Sequence, residues 1–182
     1  MKLTRFFRDE RASISVEIVV CLTVLLWAYA VFFMWWDGFR TAMKVEKATY
    51  TVSDLMSREL GMIDQAYVDG MNTMFGFLTN EDDGTSMRVS VVSRKLQADG
   101  VTEYNALEWS HVSGTGFAPH TDMTAIDARI PMMGLGAQVV VVETHLVWDP
   151  AIRSGLPDMD ASTLVVTSPR YLAQVLWDDG TS

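Results

Sequence analysis

The feature that most constrains this chain is an uninterrupted apolar run near its N-terminus, Ile18 to Trp36, IVVCLTVLLWAYAVFFMWW. The run contains no charge, Pro or Gly. As a helix it spans about 28 Å, close to the roughly 30 Å hydrocarbon thickness of a bilayer, so it can cross a membrane. The acid beside it, Glu17, is more informative still. A carboxylate at the mouth of an apolar helix is costly unless it is paired or held at the interface, which makes it a functional candidate.

The polar residues fix an orientation. Before the run, Lys2, Arg5, Arg8 and Arg11 outnumber Asp9 and Glu10, which by the positive-inside rule keeps the N-terminus in the cytoplasm and places the bulk of the chain outside. Beyond Trp36 there are ten basic and twenty acidic residues, a net charge near −10. Such an excess argues against nucleic acid, whose phosphates demand basic surface. The single cysteine, Cys21, lies inside the run, so no intramolecular disulfide can form. A cleaved signal peptide is the competing interpretation, because Ala28-Tyr29-Ala30 offers an A-x-A pattern. Cleavage there would leave Val31 to Trp36 as an apolar tail in need of burial.

Arg11-Ala12-Ser13-Ile14-Ser15-Val16-Glu17, followed at once by the apolar helix, resembles the processing site of type IV pilin-like proteins. More narrowly, it is similar to the TadE/TadF-like minor pilins, or pseudopilins, of the tight-adherence (Flp) pilus system. The resemblance implies a prepilin peptidase cut between Ala12 and Ser13, with Glu17 as fifth residue of the mature chain. Ala12 stands where the family usually has Gly, and Ile18 where an aromatic is common. The implied partners are the prepilin peptidase, the major Flp pilin and other minor pilins, and an inner-membrane assembly platform with its secretion ATPase. The implied location is the bacterial inner membrane, single-pass, with the C-terminal domain periplasmic or carried into the surface pilus. The implied role is pilus assembly and adhesion, without catalysis or cofactor. Physically, the cut frees an amine on Ser13, and a carboxylate four residues on lies one helical turn away or within reach of a neighbouring subunit's amine. Pairing would cancel two charges that the membrane otherwise penalises.

Three segments follow: a basic leader (1–12), a long N-terminal helix (13–60) and an extracytoplasmic domain (61–182). From Ser13 to Leu60 there is no Pro and the only Gly is Gly38. Val45, Ala48, Val52, Leu55 and Met56 recur at three- and four-residue steps, an amphipathic half that should pack on the domain, with Gly61 as C-cap. Trp35 and Trp36 fall at the outer end of the run, where interfacial aromatic anchors belong; Trp27 and Tyr29 lie deeper.

Residues 62–79 read as a weaker helix interrupted by Gly70 and Gly76, with its Met residues mostly filling core. Asn80 to Gly84 reads as a turn. From Met87 the apolar period changes to two. Met87–Lys95 and Val101–Trp109 form a hairpin about Ala98-Asp99-Gly100, and Ala137–Trp148 is the strongest strand. Thr163–Thr167 adds a further strand, and 110–136 is a surface-lying loop region. The fold class is α+β, with two helices and an antiparallel sheet of about four strands.

Glu143 and His145 share one strand face two residues apart, a spacing seen in metal sites, but with no third ligand they read as a surface pair. The acids 81–83 lack the spacing of an EF-hand loop. No GxSxG, HExxH, Walker loop or CxxC occurs, so no metal or catalytic residue is assigned. The alternative to a pilin is an uncleaved single-pass membrane protein with an outer ligand-binding or sensory domain.

Overall fold

The computed structural model describes residues 10–81, 84–149 and 159–180, with side chains from Ile14 onward. These residues form an α+β fold of two helices and a four-stranded antiparallel sheet. They fall into two compact units, one ending at Phe39 and the other beginning at Arg40.

Helix α1 (Glu10–Ser57) enters both units. In the second, Val45, Ala48, Val52 and Met56 are buried on one stripe, with Thr49, Ser53 and Ser57 beside them. Burying Val45, Val52 and Met56 is worth about 1.5–3 kcal/mol each, more than helix propensity supplies. Leu55, expected on this stripe, is 37% exposed. The helix also stops short of the expected Leu60, and Gly61 is not its C-cap. Arg58 N and Glu59 N bond to Leu55 O and Met56 O at 3.0 and 3.2 Å, tightening the last turn, and Ser57 O accepts from Arg170 N at 2.8 Å. A distant segment thus satisfies a helix-end carbonyl that a local glycine cap was expected to serve.

Helix α2 (Gln65–Thr79) begins where Asp64 Oδ1 accepts from Tyr67 N at 2.7 Å, an N-cap. Neither Gly70 nor Gly76 interrupts it. Gly76 serves its end instead: Glu81 N bonds to Gly76 O at 3.0 Å with Asn80 left-handed at φ 62°. A Cβ on Gly76 would come 2.7 Å from Glu81 O.

The sheet order is β2-β1-β3-β4, formed by β1 (Thr85–Leu96), β2 (Glu103–Ser113), β3 (Gln138–Trp148) and β4 (Met159–Thr167). The hairpin turn is as expected, while β2 is shifted and β4 begins earlier than Thr163. β3 alternates as its sequence predicts. Val140, Val142 and Leu146 join the cluster containing Val45, Val52, Met56 and Phe75, while Val139 and Val141 join a second cluster with Val92 and Ile126. Residues 114–137 are therefore not simply surface-lying. Ile126 is buried, and Met123, Ile130 and Met133 pack with it to cover the second sheet face. An apolar sheet face has to be covered, and here a loop does what a helix does opposite.

The C-terminal residues close the first core. Val175 is buried, Ile63 N donates to Leu176 O and Asp178 N to Ile63 O, both at 2.9 Å. Trp109 Nε1 donates to Val175 O at 3.1 Å, and Trp177 stacks on His111 with ring centroids 3.3 Å apart. Burial holds the His111 imidazole below its usual range against the opposing pull of Asp179.

Candidate functional site

Of the residues singled out in the sequence, Glu17 is exposed on α1, and Trp35 and Trp36 are exposed further along it. Ala12 and Ser13 lie on the helical backbone, but their side chains fall outside those described. The apolar run offers most of its surface outward: Val19, Leu22, Leu25, Leu26, Phe32 and Phe33 are each more than half exposed, while Met34 near its end is buried. Thr23 Oγ1, in mid-run, bonds back to Val19 O at 2.8 Å, so that hydroxyl does not need lipid to solvate it. Trp35 also packs against Phe39, with ring centroids 5.5 Å apart. Among the described residues this is the one helix long and apolar enough to cross a membrane.

The second unit holds a further cluster. Glu143, on valine-rich β3, is buried rather than at the surface. Arg88 Nε from the neighbouring strand β1 donates to Glu143 Oε2 at 2.7 Å, and His120 Nε2 stands 2.8 Å from the same oxygen. The Arg88 guanidinium continues into the covering loop, donating to Ala118 O at 2.8 Å and lying 4.6 Å from the centre of the Phe117 ring. Burial by itself would raise the Glu143 carboxyl; hydrogen bonds from Arg88 and His120, with the Arg88 charge, outweigh it and hold the carboxyl below the usual range.

Serines on the same face complete the fastening. Gly116 N donates to Ser86 Oγ at 2.7 Å, and His120 N to Ser110 Oγ at 2.9 Å. Gly116 has no room for a side chain, since a Cβ there would lie 2.7 Å from Ser86 Oγ and 2.8 Å from His145 Nδ1. His145, the other half of the expected surface pair, points its Nε2 toward Asp160 at 3.5 Å, away from any shared site with Glu143. Both halves of that expectation are thus corrected: cross-strand register gives Glu143 a cation, and the loop covers it.

Beside Glu143 is a cavity of about 80 Å³ lined by Phe117, Arg129, Ser162 and Leu164 among others. Among the described residues no set of three His, Cys, Asp or Glu side chains could hold a metal ion. A carboxylate oxygen engaged by Arg88 and His120 fastens the loop to the sheet. Sequence reasoning missed Arg88, His120 and Ser110. The usable signal was a Glu inside a valine-rich strand, which demands a buried cation somewhere in the fold.

Comparison with known proteins finds no matching family model, no similar curated protein and no similar solved structure.

Proposed function

We propose that this chain is a minor pilin, or pseudopilin, of a tight-adherence (Flp) pilus, acting by assembly. The observation that carries the reading is a single helix with two solvents. α1 presents an acid at Glu17, then apolar surface that is mostly exposed up to Trp36, and then a stripe buried under a small antiparallel sheet. In this reading prepilin peptidase cuts between Ala12 and Ser13 on the cytoplasmic side of the inner membrane, and Trp35 and Trp36 anchor the outer interface. Extracted from the bilayer, the apolar surface is buried against the helices of the major Flp pilin and other minor pilins. Glu17 then meets a terminal amine and sets the register of the assembly. The assembly platform and its secretion ATPase drive extraction, and the acidic domain stays periplasmic or travels with the surface fibre.

The test has two parts. Mass spectrometry of the mature protein is expected to find a chain starting at Ser13; an intact Met1 would support the uncleaved ligand-binding or sensory protein instead. Glu17→Gln is expected to remove most of the protein from sheared surface fibres while leaving its membrane level unchanged. Incorporation at the wild-type level would show that Glu17 plays no part in assembly.

A further inference from the structure

The two edges of the sheet are built differently. On β2 the register slips, with Val91 opposite Trp109 but Val92 opposite Leu107, so Glu108 is left over as a bulge. Gln65 Nε2 caps the Val112 carbonyl of the same strand at 3.0 Å, and Glu103 and Glu108 add charge held by Arg94 and Lys95. Bulges, caps and charges are the devices by which an open sheet blunts an edge.

Among the described residues β4 has little of this protection. Its nine residues, MDASTLVVT, pair with β3 in unbroken register from Met159 opposite Trp148 to Thr167 opposite Val140. It contains no Pro or Gly and a single charge, Asp160, at its start. Among the described residues, no backbone hydrogen bond reaches β4 except from β3. Among the described residues, a row of N–H and C=O groups therefore remains unpaired along a nearly neutral strand.

We infer that the outer edge of β4 is a docking site for an extended segment of another polypeptide, which joins the sheet as a fifth strand. Only extended backbone matches alternating donors and acceptors at strand spacing. The side chains beside that row define the rest. Ser162, Leu164 and Val166 point to the loop-covered face, and Ala161, Thr163 and Val165 to the helix-covered face. A segment alternating apolar and small polar residues continues both faces. Charge selects between partners: with ten basic and twenty acidic residues after Trp36, a second copy is repelled and a segment flanked by Lys or Arg is attracted. The inference rests on the sheet alone and stands apart from the pilin reading.

Hydrogen exchange followed by mass spectrometry tests it on the full-length chain, in native membrane vesicles and as purified monomer in detergent. In vesicles, residues 159–167 are expected to exchange at least about tenfold more slowly than in the monomer, while 103–113 exchange alike in both. Ser162→Lys, a charge at an exposed edge position, should abolish the difference without changing exchange in β3, which reports that the sheet is intact. Equal rates for β4 in vesicles and detergent overturn the proposal, as does slowing that survives in a folded Ser162→Lys. Slowing that appears in the purified protein and grows with its concentration identifies a second copy as the occupant and overturns the assignment to another polypeptide.

Discussion

The front and rear of α1 are equally helical and both rich in apolar residues, yet they meet opposite surroundings. Leu25 and Phe32 in the front are 66% and 67% exposed, whereas Val45, Val52 and Met56 in the rear are at most 1% exposed. The front is apolar on every side, so no rotation of the helix hides it, and only lipid or other helices can. The rear confines its apolar residues to one stripe and places Arg40, Lys44 and Lys47 elsewhere, so a single sheet face suffices. Helix formation is common to both; the angular distribution of side chains decides which solvent each half needs.

Substitutions in the two halves give the sharpest test of this contrast. Met56→Ala leaves a cavity in the domain core and is expected to cost about 2–5 kcal/mol, read as a lower unfolding midpoint of the domain in detergent. Leu25→Ala, of similar size change, is expected to shift the same midpoint by less than about 0.5 kcal/mol, because nothing in the domain packs on it. Equal effects would break the comparison.

The rear half is also joined to the sheet by polar contacts. Thr49 Oγ1 and Thr144 Oγ1 are 2.6 Å apart and buried, and Thr49 also donates to Val45 O. Thr49→Val strands the partner hydroxyl and should cost about 1–3 kcal/mol, whereas the double change with Thr144→Val should recover most of that loss. A double-mutant cycle in chemical denaturation measures it.

Acid sensitivity should likewise belong to the sheet-bearing unit. The Glu143 carboxyl lies below its ordinary value of 4.5 in the folded protein. A group with a depressed folded pKa contributes its stability in full above the unfolded value and loses it as pH falls through the folded one. Domain stability is therefore expected to decline as pH falls below about 4.5. In Glu143→Gln that part of the decline should be absent. Helicity of the front half in detergent should not follow it.

The smallest effect is expected at the helix end, where Asp54 is flanked by Arg58 at 2.9 Å and Arg170 at 2.6 Å in exposed pairs. Asp54→Asn should change stability by less than about 1 kcal/mol and lose even that at high salt.

Much of this architecture is legible from local pattern. The run from Ile18 to Trp36 announces its solvent because its apolar character is continuous over nineteen residues and is read without reference to any other segment. The alternation along β3 likewise assigns Val140, Val142 and Leu146 to one core and Val139 and Val141 to the other, as the two clusters show. The end of α1 does not follow from local pattern, because the group that caps Ser57 O belongs to Arg170, far along the chain.

What the sequence determined alone is thus the set of periods: an all-round apolar helix, an amphipathic continuation and strands of alternating faces. Tertiary structure decided the partners. Arg88 and Glu143 are 55 residues apart, and His120 is 23 from Glu143, so only strand register and loop closure bring them to one oxygen. It also decided which sheet edge is bulged and capped and which lies open. Periodicity is set by backbone geometry one residue after another, whereas charge pairing and edge protection depend on where the chain returns in space.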